Sequence, residues 1–163
     1  MYTLDLLPSA PGTYLLILEL NAKQRLIIGK LGEYEFPAGS YAYVGSAQGS
    51  GGLAGRLKRH LKFNHSKKTH WHIDHLNRSA QIAQIWWLEG SPSQECIWAQ
   101  RLSDLGLQCI PNFGSSDCRC ISHLFWFSKL SASSQPECVE AISDNLKTIK
   151  FPPQPRQKLQ RSR

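Results

Sequence analysis

The segment Gly12-Thr13-Tyr14-Leu15-Leu16-Ile17-Leu18-Glu19-Leu20 constrains the fold more than any other stretch of this chain. Tyr14 to Leu18 is an unbroken apolar run, too short for a buried helix and bounded by a glycine and by Asn21. It reads as a strand whose two faces are both covered. A strand of that kind sits inside a sheet with layers above and below it, so the segments that follow are sought as its partners and covers. Asn21-Ala22-Lys23-Gln24 makes a turn into a second strand, Arg25 to Gly29, and a third, Gly39 to Gly45, follows the turn Phe36-Pro37-Ala38-Gly39. Joined by short connections, the three predict an antiparallel meander.

Helices come next. Leu53 to His60 or beyond places Leu53, Leu57 and Leu61 at a spacing of four, and His70 to Asn77 reads as a short helix with Thr69 as a cap. Ile82 to Leu88 is a further strand. Ser91-Pro92-Ser93-Gln94 joins an N-cap serine, a proline at the first helical position and a glutamine at the third, which predicts a helix from there to Leu105, stopped by Gly106. His123 to Phe127 is another apolar strand, and Ser134-Gln135-Pro136-Glu137 opens a last helix, Pro136 to about Leu146. The fold class is mixed α/β (α+β): a small three-stranded antiparallel sheet flanked by helices, with an extra C-terminal strand and helix. Residues 1–149 form one domain and 150–163 a basic, disordered tail.

Charge narrows the partners. The net charge is +7, yet six basic residues and no acid follow Asp144, so the body is nearly neutral. Between Leu53 and Arg78 seven basic residues face a single acid, Asp74. Two basic surfaces on a neutral body point to a polyanion, nucleic acid first, with Lys58, Arg59, Lys62, Lys67 and Lys68 as its contacts. No apolar run reaches the ~18 residues of a membrane span. The N-terminus lacks the basic and apolar regions of a secretory signal, and five cysteines do not pair off evenly. Reduced thiols and a cytoplasmic location are the expectation.

Gly12-Thr13-Tyr14 and Tyr43-Val44-Gly45, followed by Arg56 and His60 on a helix, resemble the GIY-YIG nuclease superfamily, most closely its small URI-type members. Further blocks look like that subgroup: Arg59-His60, Trp71-His72-Ile73-Asp74, Glu95-Cys96, and the long run Phe113 to Leu124 containing Cys118-Arg119-Cys120. The resemblance spans Gly12 to about Phe127. It departs from the usual pattern in two places, an extra strand's worth of sequence from Gly29 to Gly39 and a glycine-rich step between Tyr43 and Arg56. That glycine run lacks the lysine-serine ending of a P-loop and reads as a long strand-to-helix connection.

The resemblance implies a metal-dependent DNA endonuclease. Tyr14 and Tyr43 would position or activate water, Arg56 would clamp phosphoryl oxygens through paired hydrogen bonds, and His60 would bond the same phosphate or move a proton. Glu95 would hold a single Mg2+ or Mn2+. Tyr41 shares a strand face with Tyr43 and is a substitute for it, while His72 and Asp74 are candidates for holding a helix against the site. The competing reading is a non-catalytic nucleic-acid-binding module that keeps the fold. A third is an interaction protein stabilised by Zn2+ at Cys118, Cys120 and His123, with Cys109 as the fourth ligand. Two cysteines one residue apart point to opposite faces of a strand, which argues against zinc.

Overall fold

The computed structural model describes residues 4–62, 68–128, 140, 142 and 145–153. It is a mixed α/β domain built on a six-stranded antiparallel sheet. In chain order the strands are β1 (Gly12–Leu20), β2 (Gln24–Ile27), β3 (Glu33–Phe36), β4 (Gly39–Ala47), β5 (Gln81–Glu89), β6 (Gln108–Cys109), β7 (Leu124–Phe127) and β8 (Lys147–Lys150). Among the described residues, three α-helices are traced end to end: α1 (Gly52–Leu61), α2 (His72–Asn77) and α3 (Glu95–Asp104). The main sheet runs β6-β7-β4-β1-β5-β8, while β2 and β3 pair only with each other.

The position of β1 follows from its sequence. Buried on both faces, it pairs on one edge with β4 and on the other with β5. Tyr14, Leu16, Leu18 and Leu20 point to one face, where Leu53 and Leu57 of α1 and Ile73 and Leu76 of α2 cover them. Leu15 and Ile17 point to the other, against Trp98, Ala99 and Leu102 of α3. Each such leucine or isoleucine contributes roughly 1.5–3 kcal/mol by leaving water.

The three-stranded meander is therefore corrected. The segment after β1 does not return alongside it, because β2 and β3 carry Arg25, Glu33 and Glu35 on exposed positions, with Lys23–Glu35 and Arg25–Glu33 ion pairs. Such a strand has no second apolar face to bury under the two covering layers, so the place beside β1 goes to β4, and the extra residues between Gly29 and Gly39 become β3.

Two other boundaries move. The helix expected from Pro92 begins at Glu95, since the Gln94 N–H donates to Thr13 Oγ1 and the Glu95 N–H to Ser93 Oγ before the first helical turn. The short helix α2 is capped not by Thr69 but by Asp74, whose carboxylate accepts the N–H groups of His70 and Trp71. Lys147–Lys150 forms an edge strand on β5 with Ile149 packed on the core, so the expected boundary at 149/150 falls inside a strand. The predicted helix from Pro136 lies largely outside the described residues, as does the tail from 154. Among the described residues no helix is long and apolar enough to cross a membrane.

Candidate active site

At the end of the sheet where β1 begins and β4 ends, the Tyr14 ring lies across Gly45, its partner in the β1–β4 register. A Cβ at position 45 would fall on the phenol ring, so only glycine leaves room for it. The Tyr14 hydroxyl reaches His60 Nε2 on the last turn of α1, at 2.8 Å, with both groups buried. Burial pushes the phenol above its ordinary pKa, with Arg56 opposing. Burial also pulls the His60 pKa down to about 4; Asp74 acts against the fall, and Arg56 and Arg59 add to it. At neutral pH the ring is uncharged, and its Nδ1 has no hydrogen-bond partner among the described residues.

Helix α1 supplies the positive charge beside this pair. Its own first amides are already used: the Leu53 N–H donates to the Ala10 carbonyl and the Ala54 N–H to the Pro8 carbonyl. The glycine run is thus a connection, and the cationic groups at the site are side chains. The Arg56 guanidinium carbon stands 4.2 Å from the centre of the Trp71 ring, and that of Arg59 stands 4.0 Å from it. Arg59 also makes two parallel 3.0 Å hydrogen bonds to the carboxylate of the fully buried Asp74. Burial alone would raise the Asp74 carboxyl, but the bonds from Arg59, Trp71 and His70 hold it below the usual range. One carboxylate therefore caps α2, binds α1 and fixes Trp71.

Opposite stands Glu95, the first residue of α3, with its side chain 27% exposed. Its Oε1 lies 2.9 Å from Nδ1 of buried His123, close but off the axis of a hydrogen bond. Tyr14, Tyr43, Arg56 and Glu95 line one cleft of about 430 Å³, together with Ser46, Gln48, His70, Trp71, His72, Ser116 and Asp117. Burial raises the Tyr43 phenol well above its usual range, with Tyr14 and Glu95 adding to it and Arg56 opposing.

The expected site residues thus divide by position. Tyr14, Tyr43, Arg56, Glu95 and His72 come together in the cleft, while His60 stands behind Tyr14, so a direct bond from His60 to a phosphate in the cleft is not the geometry found. His72 Nδ1 accepts the Gly114 N–H at 2.9 Å, tying α2 to the loop before β7. Tyr41 does share the face of Tyr43, but its hydroxyl donates to the Pro37 carbonyl at 2.5 Å and its ring packs on Phe36, which removes it as a substitute. Asp74 is buried away from the cleft, and Arg59 is committed to it rather than being a free surface cation. Lys62 and Lys68 are exposed and Lys58 is half-exposed; Lys67 lies outside the described residues. Asp117 and Ser116 also line the cleft, from a polar turn, Gly114-Ser115-Ser116-Asp117, whose composition marks a loop but not where it folds.

The cysteine block also differs from expectation. Cys109 belongs to β6, opposite Phe125, and is not a member of the group of ligand atoms that converge there. The fourth member of the group is Cys96, on the first turn of α3. Ligand atoms of Cys96, Cys118, Cys120 and His123 all lie within 4.8 Å of one another, a set able to hold a metal ion. Cys118 and Cys120 are in a turn-rich loop, so the strand alternation that argued against their convergence does not apply.

Fold and cleft together define a mixed α/β domain with a polar, cation-flanked pocket at one end of its central sheet. A family model described as the domain of unknown function DUF123 matches residues 13–147, most of the chain, and the chain belongs to that family. No curated protein and no solved structure matches it.

Proposed function

We propose that this chain is a GIY-YIG-type endonuclease that hydrolyses phosphodiester bonds in DNA with one divalent ion, Mg2+ or Mn2+. The observation that carries the reading is the convergence in one cleft of a guanidinium, a carboxylate and a phenol backed at 2.8 Å by a neutral imidazole. Phosphodiester hydrolysis needs those three kinds of group: positive charge on the phosphoryl oxygens, a metal anchor, and a path for the proton of the attacking water.

Arg56 is the clamp. Stacked against Trp71, it presents a planar fork suited to two phosphoryl oxygens. Glu95 is the anchor: a part-exposed carboxylate in an oxygen-rich cleft, with Asp117 also on its wall, fits Mg2+, which takes one or two carboxylates and completes its sphere with water and substrate oxygens. When bound, the ion supplies positive charge to the phosphoryl and leaving oxygens. Tyr14 is too basic to stand ionised at rest. It can take a proton from water on its oxygen while passing its own to His60 Nε2. The new hydroxide attacks phosphorus as the bond to the leaving oxygen breaks; that oxygen departs as an alkoxide and takes a proton from solvent, and His60 returns its proton to solvent through Tyr14. A phosphodiester in the cleft adds negative charge, which raises the proton affinity of His60 against the pull of Arg56 and Arg59.

The test is cleavage of labelled branched, single-stranded and supercoiled DNA with and without magnesium, beside Glu95→Ala and Arg56→Ala. Wild type should nick only with the divalent ion. Each variant should lose about 10²–10³-fold in rate, Glu95→Ala with binding retained. If wild type binds without ever nicking and both variants bind equally, the chain is a non-catalytic nucleic-acid-binding module instead.

A further inference from the structure

Behind the cleft wall, Cys96 at the start of α3 meets Cys118, Cys120 and His123 from the loop that leads into β7. Their ligand atoms lie within 4.8 Å of one another, and all three cysteines are free thiols. We propose that this cluster binds a structural zinc ion through three thiolates and the Nε2 of His123.

Three features support zinc. The donor set is three sulfurs and one imidazole nitrogen, a closed tetrahedral combination typical of structural zinc, and too soft for magnesium or calcium. The size is right: with Zn–S bonds of ~2.3 Å, tetrahedral sulfurs stand about 3.8 Å apart, so the cluster needs to contract by only ~1 Å. The third feature is the orientation of the ring. His123 Nε2 faces the thiols, 3.4 Å from Cys118 Sγ, while Nδ1 stands 2.9 Å from Glu95 Oε1. A metal-bound histidine commonly turns its other nitrogen to a carboxylate, which fixes the tautomer. A small ring rotation would align that N–H with Glu95 and aim the Nε2 lone pair into the cluster. Binding would release the protons of the three thiols to solvent.

The location gives the ion a use. The loop from Asn112 to His123 contains no strand or helix, yet it brings Ser116 and Asp117 to the cleft. Zinc would tie this loop to the first turn of α3, which carries Glu95, so one ion would set the acidic wall of the cleft. The inference stands apart from the nuclease reading, because zinc content is measured without any nucleic acid.

The test is elemental analysis of the full chain, purified in reducing buffer without a metal column, beside Cys120→Ser and Cys109→Ser. Wild type and Cys109→Ser should carry about one zinc per chain, and Cys120→Ser less than about a tenth of that. A variant that fails to fold would also lose metal, so Co2+ is titrated into the chelator-treated wild-type chain. It should produce sulfur-to-cobalt charge-transfer absorption that one equivalent of zinc abolishes. Wild-type chain without zinc and without that absorption would overturn the proposal. So would full zinc retention in Cys120→Ser.

Discussion

The hydroxyl of Tyr14 lies 2.8 Å from His60 Nε2, a contact between residues 46 apart in sequence and shut off from water on the imidazole side. It makes the proton affinity of one group depend on the other, and Gly45 makes it possible by leaving the space the phenol ring fills.

Tyr14→Phe removes that hydroxyl while leaving the ring. DNA cleavage should fall by about 10²–10⁴-fold, the usual contribution of a positioned proton-transfer group, with affinity for uncleaved DNA unchanged. Single-turnover nicking and fluorescence anisotropy on the same substrate separate the two effects. Stability should drop by about 1–3 kcal/mol, since a buried imidazole nitrogen loses its partner. Cleavage at the wild-type rate would remove Tyr14 from the chemistry.

Stability should depend on pH through His60. Its pKa is about 4 in the folded chain against an ordinary 6.5. Above 6.5 neither state holds the proton. Between 6.5 and 4 the unfolded chain takes it and the folded chain does not, so stability falls as pH falls, by roughly 3 kcal/mol over that window, and levels off below it. The charges facing His60 are Asp74, which favours the proton, and Arg56 and Arg59, which oppose it. Urea midpoints measured at pH 7, 5.5 and 4.5 should show the loss in wild type and a shallower slope in His60→Gln. Equal slopes would mean that the buried ring takes its proton as easily as a free one.

Breaking the Arg59–Asp74 pair should cost far more than removing any surface lysine. Asp74 is fully buried and Arg59 is 28% exposed at its side chain, so Asp74→Asn strands one side of a buried ion pair and loosens the cap of α2. A cost of about 3–5 kcal/mol is expected, a fall in Tm of roughly 10 °C. Calorimetry decides: a change as small as that of Lys62→Ala would show the pair to be incidental.

If the exposed lysines contact a phosphate backbone, Lys62→Ala and Lys68→Ala should each weaken DNA binding to a similar degree whatever the sequence, and lower the slope of log affinity against log salt by about 1. Arg59→Ala should instead act through folding. Titrations at several salt concentrations distinguish these, and an unchanged slope for both lysine variants would place the nucleic-acid surface elsewhere.

Local chemistry in the sequence determined the identity of most elements. The apolar run of β1 could only be a covered strand, the leucines of α1 could only face a core, and Gly106, with its positive φ of 75°, ended α3 where expected. Tyr14, Tyr43, Arg56 and Glu95 were named through the resemblance, and the fold brings all four to one cleft. Tertiary packing alone decided which strands became neighbours, since pairing depends on which strand can bury both of its faces; β4 and β5 can, and the charged β2 cannot. It also decided which polar groups were consumed. Tyr41 gave its hydroxyl to Pro37, Arg59 went to Asp74, and Cys96 rather than Cys109 joined the thiols. Such contacts join residues far apart in the chain, and their partners are set by distance in the folded molecule rather than by spacing along it.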